Sequence, residues 1–278
     1  MASKRQYDVD NRDFLRLSYL DNRQRSIDIC APLASEDYVI QTMPDVSPPK
    51  WHLAHTSWFY EAFLLSQFKK SYTCFHPLFD TLFNSYYVTH GNPYPRPQRG
   101  LLSRPTVEEV IQYRHHVDEA MQQLIQDVSE QDWQELSALV VLGINHEQQH
   151  QELLLTDIKH IFAHNPLNPV YRQKTKQLTH VTSHHPYQWL SFEGGMVEMG
   201  CDTMLSENTP QAVFAYDNEG PCHKTYTDNF LLASRCITNQ EYLDFINDGG
   251  YQTAKLWLLV VGVERNPPAP PRPAGSRK

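Results

Sequence analysis

The chain has 278 residues, 40% of them hydrophobic, with a formal net charge of −8 and an isoelectric point near 5.9. That is apolar material for one large or two ordinary domains, and the acidic balance argues against a nucleic-acid partner, which needs a basic face. No apolar run reaches the roughly 18 residues of a membrane span, and the start MASKRQYDVDNRDF has no apolar signal core, so a cytoplasmic location is expected. Cys30, Cys74, Cys201, Cys222 and Cys236 are odd in number and widely spaced, the pattern of isolated reduced thiols.

Residues 11–29 carry Phe14, Leu15, Leu17, Leu20 and Ile27 among charges, which predicts an amphipathic helix. A short helix follows from Ser35, and PDVSPP interrupts the chain before residue 50. The next helix places Trp51, His55, Trp58, Phe59, Ala62 and Phe63 in one apolar aromatic stripe, with His52 to one side. Residues 70–104 are irregular and rich in Gly, Pro and Asn, longer than a compact domain needs, and are therefore expected to be functional. Thr106 with Glu109 forms a capping box for a helix to about Asp127. Ser129 with Asp132 opens a short segment, and a further helix is predicted over about 136–163. Four principal helices and one long crossover suggest a four-helix bundle with any metal site in its core. Beyond His164 the chain reads as a polar linker, then as short strands around Gly194 and Gly195, then as a helix capped by Thr238 and ended at Gly249. Five prolines between 267 and 273 mark a tail without periodicity.

The stretch INHEQQHQELLL, residues 144–155, matches the H-E-x-x-H signature of zinc proteases by its letters. At about 100° per residue, His150 falls about 40° from His146, Gln149 about −60° and Leu153 about −20°, while Glu147 lies about 100° away. His146, Gln149 and His150 thus share a face, which Leu153 is expected to continue into the bundle. His55, on a separate helix without an obvious local partner, supplies a third histidine. Three neutral nitrogen ligands leave positions open and suit non-haem iron, although a carboxylate is usual in that class. Two other readings stand beside it: core histidines paired across the bundle, and a zinc protease. The protease would need Glu147 at the metal and a third ligand downstream; His160 is expected on the opposite side of the helix.

The segments SPPKWHLAHTSWFYEAFLL, FNSYYVTHGNPYPRPQRGLLSRPTVEEVIQYRHHVDEAM and LGINHEQQHQELLL, in this order, resemble the DinB-like bundle of the ergothioneine-biosynthesis sulfoxide synthases. FEGGMVEMG, FAYDNEGP and TNQEYLDFINDGGY are similar to the opening of their second domain, of the sulfatase-modifying-factor (formylglycine-generating-enzyme) type. The resemblance covers about residues 10–258. It implies an α+β chain with a DinB-like four-helix bundle at 10–165, a linker at 166–187 and the truncated start of a C-type-lectin-like domain at 188–258. A non-familial tail follows at 259–278.

The activity it implies is iron(II)- and O2-dependent joining of cysteine or γ-glutamylcysteine to the imidazole of hercynine. The implied iron ligands are His55, His146 and His150. Gln149 would hold the substrate imidazole, Tyr86 and Tyr87 would be catalytic and could face its trimethylammonium, and Arg96 and Arg99 would hold the thiol substrate's carboxylate. Asp157 and Glu152 stand beside the site helix as outer partners of a ligand imidazole or as a solvated face. The second module is shorter than the family's, so truncation near Leu258 is expected, with iron binding kept and synthesis weak or absent. The alternatives are an ovothiol-type synthase acting on histidine and a metal-binding bundle without oxidase chemistry, such as a thiol transferase or zinc hydrolase.

Overall fold

A computed structural model describes residues 6–85, 91–173, 186–201 and 212–257. The chain divides into two units, Met1–Leu178 with Gly200–Cys222, and Thr179–Met199 with His223–Lys278.

In the first unit, strand β1 (Gln6–Tyr7) precedes helix α1 (Arg12–Cys30), whose first turn is capped by the Asn11 side chain accepting from the amide of Phe14. Leu15 and Tyr19 enter the core as the periodicity predicts, whereas Phe14 and Leu17 face solvent. A 3-10 turn over Ser35–Val39 leads to helix α2 (Pro49–Tyr60), which starts on a proline at its first position, where a missing N–H costs nothing. Every residue of α2 is buried. The helix continues through a π turn, Glu61–Leu65, into the short helix α3 (Ser66–Phe68). Within that turn Glu61 accepts hydrogen bonds from the hydroxyls of Tyr72 and Tyr113.

The region expected to be irregular contains a short helix α4 (Phe79–Phe83) and a 3-10 segment, Arg96–Leu101. Helix α5 (Val107–Asp127) begins with the capping box of Thr106 and Glu109. The short segment expected after Ser129 does not exist separately. Ser129 caps one continuous helix α6 (Glu130–His164), because Trp133, Leu136 and Ser137 are buried in the same register as Val140 and Ile144 and leave no reason for a break. Four helices, α1, α2, α5 and α6, enclose an apolar core that includes Trp58, Tyr60, Met121, Ile125, Val140 and Ile144. Strand β4 (Ala212–Val213) pairs antiparallel with β1.

The second unit holds strands β2 (Trp189–Phe192), β3 (Gly195–Met199), β5 (His223–Thr227) and β6 (Phe230–Ala233). They form two antiparallel pairs, β2 with β6 and β3 with β5. Helix α7 (Asn239–Asn247) has the expected capping box of Thr238 and Glu241, and Gly249 follows it at φ +77°. Trp189, Phe192, Leu231 and Leu232 are exposed.

Among the described residues Cys30, Cys74, Cys201 and Cys236 are free thiols, and no helix is long and apolar enough to cross a membrane.

Candidate metal centre

Helix α2 delivers His55, and α6 delivers His146 and His150 one turn apart. One ring nitrogen of each lies within 4.8 Å of the other two. The ring centroids form a triangle of 5.1, 4.7 and 4.7 Å. Burial, then the neighbouring His146, holds His55 well below the ordinary histidine value. Burial pushes His146 down to about 4, and burial followed by His55 and His52 depresses His150 strongly. All three are therefore neutral at pH 7, the protonation state in which imidazole is a ligand.

The contacts at Nδ1 differ between the rings. Nδ1 of His55 lies 2.5 Å from the Phe83 carbonyl oxygen, which can only accept, so Nδ1 carries the proton and Nε2 is a bare lone pair. The buried Nδ1 of His146 has no hydrogen-bond partner. Pairing across the bundle accounts for His55 and for His150, but not for the unpartnered Nδ1 of His146. A bound transition metal does fit, and three nitrogen donors suit iron or zinc.

The histidines line a cavity of about 390 Å³. Trp51 stacks on His55 at 4.5 Å and Trp58 at 5.5 Å, so the ligand ring is held between two indoles on its own helix. Arg99 lies over the Trp51 ring at 3.3 Å and donates from Nη1 to Ser47 Oγ, while its buried Nε has no partner. Burial, then Arg96, pushes Arg99 down to about 9, still cationic at neutral pH. Arg96 is exposed, lines the same cavity and donates to the Asp45 carbonyl. Gln149 is exposed and also borders the cavity. Tyr86 and Tyr87 lie outside the described residues.

Leu153 does not continue into the bundle. It is 47% exposed and borders the cavity, because the inward face of α6 is the adjacent register of Ile144, Glu147, Gln151, Leu154 and Ile158. Glu147 belongs to that inward face and is completely buried. Its Oε1 accepts from Ser26 Oγ at 2.7 Å and Arg114 Nη2 at 3.0 Å, and its Oε2 from Arg23 Nη1 at 3.1 Å. Burial raises its pKa, but Arg23 and Arg114 outweigh this and leave it below the ordinary carboxylate value. A carboxylate locked between two guanidinium groups is not the free base that a zinc protease requires. His160 is also placed otherwise than expected. The 100° count puts it about 80° from His150, but about 15 Å further along the axis, where Nδ1 pairs with Thr42 Oγ1.

Two further residues enter the site: His52, and Asp157, which takes the first of the two places expected for it, as an outer partner of a ring. His52, read as lying to one side, has Nδ1 at 2.9 Å from His150 Nδ1. Its Nε2 meets Asp157 Oδ2 at 2.9 Å. Asp157 is 8% exposed and is therefore no solvated residue, whereas Glu152 is exposed. The signal for His52 was its position three residues before His55; the signal for Asp157 was its position seven residues after His150.

Residues 19–154, which span most of this four-helix unit and include the three histidines, match the model of the DinB superfamily. Over 47 residues the chain is 49% identical to Ergothioneine biosynthesis protein 1 of Schizosaccharomyces pombe. That match spans 16% of this chain and 6% of the relative.

Proposed function

We propose that the chain is part of an iron(II)- and O2-dependent enzyme that joins a cysteine-type thiol to C2 of the imidazole of hercynine, giving a sulfoxide. The observation that carries this reading is the convergence of His55, His146 and His150 on one cavity, with His55 Nδ1 bonded to a carbonyl and His146 Nδ1 buried without a partner. The local identity to an ergothioneine biosynthesis protein supports this reading. Three protein ligands leave room for substrate and dioxygen, and iron would supply the one-electron chemistry that dioxygen requires. The overall change balances without a further reductant: the thiol and the imidazole C2–H each lose one hydrogen, one oxygen atom goes to sulfur, and the other leaves as water.

The protein's own groups bind and orient. Arg99, with a buried and unpaired Nε, and Arg96 at the cavity edge receive the carboxylate of the thiol substrate. Gln149, at the border of the cavity, holds the substrate imidazole, and a catalytic role is assigned to Tyr86 and Tyr87 on the family resemblance alone. Residues 188–258 are the start of a sulfatase-modifying-factor-type domain in this reading.

Anaerobic loading with Fe(II), followed by air and mass spectrometry of mixtures of hercynine with cysteine or γ-glutamylcysteine, tests the proposal. The expected product has the summed composition of both substrates, less two hydrogens, plus one oxygen, and forms slowly but only with iron. Product from histidine in place of hercynine moves the assignment to the ovothiol type. Iron binding without oxygen uptake in any mixture leaves a metal-binding bundle without oxidase chemistry.

A further inference from the structure

The group Asp157, His52 and His150 forms a continuous hydrogen-bonded chain whose two outer members the proposed reaction does not use. Asp157 is anchored from outside, because its Oδ2 accepts from the backbone amide of Ser47 at 2.9 Å. The same oxygen lies 2.9 Å from His52 Nε2. A carboxylate only accepts, so His52 Nε2 carries the proton and, in the neutral ring, Nδ1 is a lone pair. That lone pair faces His150 Nδ1 at 2.9 Å, so His150 must donate from Nδ1 and keep Nε2 bare. The rule that makes the Phe83 carbonyl select the His55 tautomer thus operates on His150 through one intervening imidazole.

We propose that Asp157, acting through His52, is a positioning residue that fixes the tautomer and ring orientation of His150 before a metal ion arrives. This rests on the three histidines being a metal site. Carboxylate to histidine to ligand is a common second layer around metals, and loss of such partners costs about 10–100-fold in affinity. Here the layer has an additional ring, and its terminal acid comes from the same helix as the ligand, two turns further on. The other wall of the relay, His52, comes from α2 together with His55, so the relay also ties the two ligand-bearing helices to one another.

Co(II) titration of the full chain, followed by visible absorption, tests this without any turnover. His52→Leu removes the acceptor of His150 Nδ1 and is expected to weaken Co(II) about 10–100-fold, with the apo melting temperature recorded alongside. His52→Asn, whose carboxamide oxygen sits near the position of the histidine Nδ1, is expected to recover most of the affinity. Asp157→Ala is expected to weaken Co(II) in the wild-type background and to have no further effect in the His52→Leu background, a coupling that a purely structural role would not produce. Equal Co(II) affinity of wild type and His52→Leu overturns the relay and leaves the metal site standing. A wild type that takes up no Co(II) overturns the site itself. Should His52→Leu fail to fold, Asp157→Ala and His52→Asn decide alone: unchanged affinity in Asp157→Ala, or a loss in His52→Asn as large as in Asp157→Ala, contradicts the relay.

Discussion

Glu147 sits between His146 and His150 in sequence and at the centre of a buried ionic network in space. Arg23 binds Glu147 and, through Nε at 2.7 Å, Asp118, while Arg114 binds Glu147 and the carbonyls of Leu53 and Arg23. Removing one member of a buried pair leaves uncompensated charge. Glu147→Gln is therefore expected to destabilise the fold by about 3 kcal/mol, read by urea unfolding, with metal uptake at neutral pH unchanged. Loss of metal with unchanged stability would place Glu147 at the metal after all. The shared face of His146, Gln149 and His150 was legible from 100° arithmetic alone, and so was the displacement of Glu147. Its partners were not, because Arg23 and Arg114 lie on other helices, and nothing in their own local sequence distinguishes a buried arginine from a solvated one. The pairing of His52 with Asp157 was hidden for the same reason: they meet across 105 positions of chain.

Helix α6 carries two of the three proposed ligands, and its position against α2 depends on Gly143. A Cβ there would lie 2.5 Å from Cε1 of Tyr60, whose ring is fully buried and packs edge-on against Tyr19 at 4.9 Å. Gly143→Ala is expected to cost about 1–3 kcal/mol by overpacking, seen as a lowered melting temperature. It is also expected to weaken metal uptake, because His146 lies one turn further along the same helix. An alanine variant as stable as wild type would mean that the helices are not in close contact at this point. The helices behind Thr106 and Thr238 were readable because each residue stands at a start with the right chemistry, whereas the single long helix behind Ser129 was not. The π turn at Glu61–Leu65 was not, since EAFLL contains nothing that disfavours an ordinary helix. The turn reflects where Tyr72 and Tyr113 meet Glu61. In the second unit the Gly-rich breaks announced strands, but the pairing of β2 with β6 and β3 with β5 is a long-range choice that local pattern does not encode.

At the scale of the whole molecule, four histidines around the cavity, 52, 55, 146 and 150, are held below their ordinary value by burial and are neutral in the fold. Below about pH 6.5 the unfolded chain binds protons that the folded chain refuses. The stability contributed by these groups is therefore complete above that pH and declines as the pH falls towards about 4, where His146 itself charges. Each such histidine contributes a slope of up to about 1.4 kcal/mol per pH unit. Thermal unfolding of the metal-free chain from pH 7 to pH 5 is expected to show a falling midpoint, shallower in His146→Ala. A flat midpoint over that range would mean that the cavity histidines are already hydrated and charged. The central claim, that three histidines from two helices form one metal centre, is tested most directly by anaerobic Fe(II) titration of the wild-type chain and of His55→Ala. One iron per chain, with affinity lost by about tenfold or more when His55 is removed, is the expected result; no uptake, or uptake indifferent to His55, would contradict it.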